Sequence, residues 1–353
     1  MKAIISAPNV NYVQIDSVVI MKIVKHVDSE LYAGMSEVAG EACQGLLTGL
    51  VAVEEGRLEI TNCFPTARAE IQMDDDGSAA ANAQHEELKQ AEMLDMLRKF
   101  RNMNIDYELV GFYQAHPFGA CFSSDMAESL FDYQSSVQDG VVLIYDPVKS
   151  RQGQLSMKVY RLSLPAIELF MQGDWTPENV KASGITFETM FEELPLVIKN
   201  SRLVNVMMAE LSLSPSQKLL EKSGSHLELG TKRSLEKCVR SMMANIDELN
   251  KDLQAYSKYQ MDKAKHDAHV NNQLQKRELD NEQRRLRGEP ALSIDDIRKM
   301  KGPMLATRNG MLDALLTSLD TQALCDFATK VTGENIAKLF LAESLAGEKI
   351  NKA

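Results

Sequence analysis

The stretch that most constrains the fold of this chain runs from residue 110 to 127 and reads VGFYQAHPFGACFSSDMA. Its apolar start predicts the end of a β-strand, and Pro117 with Gly119 predicts a tight turn directly afterwards. His116 lies at this junction of strand and loop, where polar side chains commonly reach a cleft. The stretch therefore predicts a sheet with a candidate site at the end of one strand.

Further strands and helices are predicted on both sides of this stretch. Strands are predicted at residues 45–53, 57–64, 141–145 and 155–162, and helices at residues 18–26, 85–103 and 125–138. The run from Val141 to Tyr145 is wholly apolar, which is typical of a strand buried on both faces. This mixture of strands and helices indicates one α/β domain.

Composition sets bounds on function. The formal net charge of −11 argues against a general nucleic-acid binder, because such proteins neutralise phosphates with basic side chains. The five cysteines contain no Cys-x-x-Cys pair, which favours free thiols in a reducing compartment. No apolar run approaches the roughly 20 residues that cross a bilayer, and the N-terminus does not match a signal peptide. We therefore expect a soluble, cytoplasmic protein.

From residue 227 onward the sequence is rich in helix. Apolar side chains recur there at alternating spacings of four and three, which predicts a helix that packs against another helix. The members of this apolar seam are Leu235, Val239, Met242, Ile246, Leu249, Leu253 and Tyr256. The seam would face either another helix of the same chain or a helix of a partner.

The seam fades beyond Tyr256, and residues 262–289 are almost wholly polar. The basic end of this polar helix consists of Lys276, Arg277, Arg284, Arg285 and Arg287. Glu278, Asp280 and Glu282 interleave with these basic residues, so a solvated face is favoured over a contact with RNA or an acidic partner. Two short amphipathic helices are predicted further on, at residues 312–319 and 334–345.

The stretch around His116 resembles the metal-binding loop of the MPN (JAMM) family of zinc isopeptidases. The family pattern is His-x-His-Pro, six residues and Ser-x-x-Asp, with a glutamate on an earlier strand. His116 and Ser124 match this pattern. Gln114, Ala127 and Ala42 stand in place of the first histidine, the aspartate and the glutamate. A catalytic zinc site needs three protein ligands and an open position, so the resemblance implies an MPN domain without catalytic residues, metal or cofactor.

Longer segments resemble the MPN-type subunits of eukaryotic translation initiation factor 3. They are VQID at 13–16, LEITNCFP at 58–65, VVLIYDP at 141–147, ITFETMFEELP at 185–195 and RGEP at 287–290. The resemblance implies an α/β (α+β) MPN domain, with a mixed β-sheet flanked by helices, at residues 11–165. An MPN-associated connector with helices would follow at 166–225, and an all-helical assembly region with a long helix at 226–353.

The resemblance also implies a function and partners. It predicts a non-catalytic scaffold subunit that supports small-ribosomal-subunit binding and mRNA recruitment. Its MPN domain would pair with a second MPN subunit, subunit f, and its C-terminal helices would join a helical bundle of other subunits. One alternative is a zinc isopeptidase (deubiquitinase) with a rearranged site built from His116, Glu41 and Asp125, although the spacing of these residues does not favour that geometry. The other is a ubiquitin-binding or RNA-binding module.

Overall fold

The computed structural model describes residues 10–32, 43–66, 79–137, 139–151, 155–213, 232–288, 290, 292–293 and 311–350. Its strands are β1 Tyr12–Ile15, β2 Cys43–Ala52, β3 Arg57–Pro65, β4 Leu109–Ala115, β5 Val141–Tyr145, β6 Met157–Leu162, β7 Phe191–Leu194 and β8 Leu196–Ile198. Its helices are α1 Ser17–Tyr32, α2 Ala79–Asn102, α3 Ser124–Ser136, α4 Pro147–Arg151, α5 Leu164–Gln172, α6 Pro177–Ser183, α7 Arg202–Leu213, α8 Lys232–Leu286 and α9 Leu312–Ile350.

The described strands form one mixed sheet in the order β7-β6-β5-β4-β2-β3-β1-β8. β4 runs parallel to β5, and β1 runs parallel to β3 and β8, whereas the other neighbours are antiparallel. β7 and β8 lie at opposite edges although only Pro195 separates them in sequence, so the sheet curls until its edges approach each other. The predicted mixed sheet flanked by helices is confirmed.

The two faces of the sheet bury different helices. On one face α1 packs on side chains such as Leu47 and Tyr113, and on the other face α3 packs on side chains such as Phe112. The register shifts in the pairing of β2 with β4 beside Gly111, whose backbone lies very close to β5. A Cβ atom at Gly111 would lie 1.9 Å from the carbonyl oxygen of Val141, so only glycine permits this approach.

The C-terminal helices differ from the prediction in length. α8 is continuous from the apolar seam through the polar stretch. α9 is one helix, so the prediction of two short helices at residues 312–319 and 334–345 is wrong. α9 packs against α8, against α3 and against the turn after β4. None of the described helices is both long enough and apolar enough to cross a membrane.

The predicted division of the chain at residues 165 and 225 stays a prediction. β7 and β8 belong by sequence to the predicted connector, yet β7 pairs with β6 and β8 pairs with β1. Arg161 strengthens the closure of the sheet, because its guanidinium donates to the carbonyl oxygen of Val10 at 2.6 Å and to the carboxylate of Glu192 at 2.8 Å. The first part of the connector therefore completes the sheet.

Candidate functional site

His116 directly follows β4, at the start of a 3₁₀ turn formed by Pro117–Gly119. Its backbone N–H donates to the carbonyl oxygen of Tyr145 at 3.1 Å, which ties the end of β4 to β5. Its Nδ1 lies 3.0 Å from the carbonyl oxygen of Pro117. A carbonyl only accepts, so Nδ1 donates the hydrogen of this bond. Burial lowers the pKa of His116, which favours the neutral imidazole, and the bond to Pro117 opposes this shift.

The other family positions lie around the same turn. Gln114 is buried on β4 between β2 and β5. Ser124 is the first residue of α3, and Ala127 lies one turn further on with no exposed surface. Ala42 lies outside the described residues. The fold therefore brings Gln114, His116, Ser124 and Ala127 to one region of the molecule.

These side chains do not fit a zinc ion. Ala127 has no donor atom, and the amide of Gln114 is a poor zinc ligand beside an imidazole. Within the described ranges, no three His, Cys, Asp or Glu side chains are grouped so that they could hold a metal ion. The rearranged site would need Asp125, which is exposed on the first turn of α3, and Glu41, which lies outside the described residues.

Contacts with the rest of the chain hold the turn instead. Phe118 has φ 68° and ψ 1°, a left-handed conformation that is strained for a bulky residue. Its N–H donates to Oδ1 of Asp146 at 3.2 Å, and the same oxygen accepts from the backbone N–H groups of Val148 and Lys149. Burial raises the pKa of Asp146, and these three N–H groups oppose the rise. Asp146 thus joins the turn to the start of α4.

α9 covers this turn from the other side. The rings of Phe118 and Phe327 pack with centroids 4.7 Å apart. Ala120 of the loop joins the same apolar cluster, as do Cys238 of α8 and Leu324 of α9. The loop that carries the metal ligands in the zinc isopeptidases is here anchored by the C-terminal helices.

A partly buried carboxyl group forms the second contact between α9 and the loop. The N–H of Phe122 donates to Oδ1 of Asp320 at 2.9 Å. Burial raises the pKa of Asp320 to about 7, and the bond from Phe122 opposes this rise. Burial, and then the neighbouring Asp320, raise the pKa of the Cys121 thiol. This thiol therefore stays protonated and unreactive.

The structure divides the predicted apolar seam of α8 between two environments. The half-buried members are Leu235, Met242, Leu249 and Tyr256, and the exposed members are Val239, Ile246 and Leu253. Cys238, which sequence reasoning did not include, is fully buried where α8 contacts α9. Part of the seam therefore faces the chain's own last helix, and part of it faces solvent.

The basic end of α8 is largely exposed. Lys276, Arg285 and Arg287 are exposed, and Arg277 and Arg284 are half-buried. Beyond the helix the chain turns back, since the side chain of Asn281 bonds to both backbone groups of Leu292 at 3.1 and 2.8 Å.

Sequence reasoning missed Asp146, Asp320 and Phe327. A signal for two of them is present in the sequence, because apolar residues of α9 recur at helical spacing with one acid among them: Leu312, Leu316, Asp320, Leu324, Phe327 and Val331. A lone acid in an apolar stripe indicates a buried carboxyl group with a hydrogen-bond donor nearby.

Two family models match the chain. One is described as JAB1/Mov34/MPN/PAD-1 ubiquitin protease and matches residues 8–139. The other is described as the C-terminal region of eIF3h and matches residues 150–351. Together with the sheet and the turn after β4, the first match defines the chain as an MPN-domain protein.

Relatives specify the family further, and each of them is an H subunit of eukaryotic translation initiation factor 3. The chain is 61% identical to the H subunit of Brugia malayi, over 97% of this chain and 94% of that protein. It is 60% identical to the H subunit of Caenorhabditis elegans, over 98% and 94%. It is 36% identical to the H-B subunit of Danio rerio, over 96% and 94%. The chain belongs to the H-subunit family of eukaryotic translation initiation factor 3.

Proposed function

We propose that the chain acts as a non-catalytic scaffold subunit of eukaryotic translation initiation factor 3 in the cytoplasm. The observation that carries this proposal is the identity of 61% with an H subunit of that factor across 97% of the chain. The similarity spans both the MPN domain and the C-terminal helices, so both parts are shared with that H subunit. In the complex the chain supports small-ribosomal-subunit binding and mRNA recruitment.

The region around His116 supports a scaffold over a peptidase. Hydrolysis by a zinc isopeptidase needs a metal-bound water and a general base. Of the family's ligand positions that the structure describes, His116 keeps a metal-binding side chain, whereas Gln114 and Ala127 do not. The Phe118–Phe327 contact and the bond from Phe122 to Asp320 place α9 over the same loop. We therefore assign no reaction to this region.

Exposed apolar side chains on the C-terminal helices support assembly with partner helices. Ile336, Leu339 and Phe340 are each more than half exposed near the end of α9. Val239 and Ile246 are exposed on α8. Apolar side chains at helical spacing fit a partner helix in the way that amphipathic helices pair. In this proposal other initiation factor subunits cover these side chains, and subunit f pairs with the MPN domain.

Capture of the complex tests the proposal. The tagged full-length chain, expressed in cells of its source, should co-purify other initiation factor 3 subunits, including subunit f. Phe340→Glu should reduce this capture because it places a charge in an apolar contact, whereas Thr332→Glu, at an exposed position of the same helix, should not. A wild-type chain that captures no subunit of the factor would contradict the proposal.

A further inference from the structure

A cleft of about 390 Å³ lies between α9 and the face of the sheet formed by β5, β6 and β7. It lies beside the turn after β4, and neither Gln114 nor His116 lines it. Its aromatic floor consists of Phe122, Tyr160 and Phe191. The ring of Phe122 packs on the rings of Tyr160 and Phe191, with centroids 5.4 and 5.1 Å apart. The cleft therefore offers an ordered apolar surface to a ligand.

β7 borders this cleft and is an edge strand, because β6 is its one partner among the described strands and the curl of the sheet does not pair it with β8. Directly before β7, the N–H of Ser163 donates to the carbonyl oxygen of Met190 at 3.0 Å. Hydrogen-bonded and non-hydrogen-bonded pairs alternate along an antiparallel ladder, so Phe191 and Glu193 direct their N–H and C=O groups away from β6. Among the described residues, no hydrogen bond joins these outward groups to another segment.

The opposite wall of the cleft is one face of α9. Its lining residues there recur at helical spacing from Leu319 through Ala323 to Lys330, a stretch of about 16 Å at about 1.5 Å per residue. An extended peptide of about five residues covers this length at about 3.3 Å per residue. The side chains of Phe191 and Glu193 also line the cleft. Every second side chain of a strand added beside β7 would therefore face the aromatic floor.

The charged side chains around the cleft favour a ligand without net charge. Glu193 pairs with Lys158, whose Nζ donates to its carboxylate at 2.9 Å. Asp146 directs Oδ1 to three backbone N–H groups of the chain itself. The other charged residues of the lining are two lysines and two acids: Lys149, Lys330, Glu188 and Asp326. A segment with a strong net charge of either sign would approach like charges, so an uncharged segment fits best.

We infer that this cleft binds an extended, uncharged peptide segment of a partner protein as an additional strand beside β7. The outward backbone groups of Phe191 and Glu193 bond to the backbone of this segment, and its apolar side chains pack between the aromatic floor and α9. A partner helix would leave these backbone groups unpaired, because the backbone groups within a helix bond to each other. The surface is separate from the exposed apolar side chains of α8 and α9, and it does not depend on the scaffold role proposed above.

Selection from random heptapeptides displayed on phage tests this inference with the full-length chain. Phage that also bind Gln322→Trp are removed, because Gln322 is an exposed residue of the cleft and an indole there would fill it. The peptides that remain should be uncharged and should carry apolar side chains at every second position. Thr332→Trp, at an exposed position of α9 outside the cleft, should bind them as tightly as the wild type.

Proline in β7 tests the added strand separately. Glu193→Pro removes an N–H that points away from β6, and proline is tolerated at such a position of an edge strand. Glu193→Gln breaks the ion pair with Lys158 but keeps this N–H. By fluorescence anisotropy with the selected peptides, Glu193→Pro should bind about tenfold more weakly than Glu193→Gln, because one backbone hydrogen bond is lost.

The inference is overturned if no peptide distinguishes the wild type from Gln322→Trp, or if Glu193→Pro binds the selected peptides as tightly as Glu193→Gln. If Glu193→Pro does not fold, the peptide backbone is changed instead. Each backbone nitrogen of a selected peptide is methylated in turn, which removes one hydrogen-bond donor at a time. Methylation of at least one nitrogen should weaken binding about tenfold, and unchanged binding throughout the series would overturn the inference.

Discussion

Asp320 is a partly buried acid in an environment that disfavours its charged form. It lies within the apolar stripe of α9, its Oδ1 accepts the N–H of Phe122, and burial raises its pKa to about 7. In the unfolded chain an aspartate titrates near pH 4. As the pH rises, the unfolded chain therefore releases this proton before the folded chain does. The contribution of Asp320 to the free energy of unfolding becomes more unfavourable between about pH 4 and about pH 7.

Asp320→Asn should remove this cost, because its amide oxygen still accepts the N–H of Phe122 while no charge can form. Relative to wild type, the free energy of unfolding of the variant should increase across this pH range by up to a few kcal/mol, at about 1.4 kcal/mol per pKa unit. Denaturant unfolding at several pH values between 4 and 8 measures the difference.

Asp326→Asn is the matched control, since Asp326 is exposed on the same helix. A change with pH as large in Asp326→Asn as in Asp320→Asn would mean that the partly buried position of Asp320 is not its cause. A pH-independent difference for Asp320→Asn would show that the pKa of Asp320 is the same in the folded and the unfolded chain, which contradicts this account.

At the scale of single residues, the sequence shows which metal ligands are missing better than it shows which tertiary contacts replace them. Gln114 and Ala127 could be assigned by comparison with the resembled family pattern, because a missing ligand is visible in the residue type. Asp146 and Asp320 could not, because their roles depend on backbone N–H groups of Phe118 and Phe122, 28 and 198 residues away in the sequence. Such pairings exist only once the fold is formed.

At the scale of elements, α9 shows where local propensity fails. Its middle contains Thr321, Thr332 and Gly333, which weaken an isolated helix. The hydroxyls of both threonines bond back to the carbonyl groups four residues earlier, at 2.7 Å. Packing of Phe327 on Phe118 supplies the tertiary stabilisation that a propensity pattern does not include. The predicted break in the helix is therefore absent.

Phe327→Ala should lower the free energy of unfolding by about 3–5 kcal/mol, because it removes a buried ring from the contact between α9 and the loop. Phe340→Ala, which truncates a ring that is 67% exposed on the same helix, should change the isolated chain by less than about 0.5 kcal/mol. Urea unfolding measures both variants. Equal effects would mean that α9 does not dock on the loop in solution.

At the scale of the whole molecule, the mixed sheet and the helical C-terminal region followed from alternation, helical spacing and the family resemblance. The curl of the sheet did not, because it depends on how β7 and β8 pair at opposite edges. The docking of α8 and α9 on the loop after β4 was also missed, since helical spacing predicts an apolar face but not what that face covers. The partner-facing roles of the seam and of the basic end of α8 stay predictions.

Charge reversal at the basic end of α8 distinguishes a solvated face from an RNA contact. Glu278, Asp280 and Glu282 lie among the basic residues, so Arg284→Glu with Arg285→Glu should leave co-sedimentation of the assembled factor with small ribosomal subunits unchanged. Lysates of cells that express each version would be compared at two salt concentrations. Weaker and salt-sensitive association of the variant would instead assign an RNA contact to this end.

The central claim is that protein contacts, and not a metal ion, hold the loop after β4 in a chain that works by assembly. Elemental zinc content of the full-length chain, purified and dialysed without chelator, tests this most directly. We predict zinc far below one ion per chain, with no change in His116→Ala. About one zinc ion per chain that survives dialysis and disappears in His116→Ala would contradict the account and restore peptidase chemistry as a hypothesis.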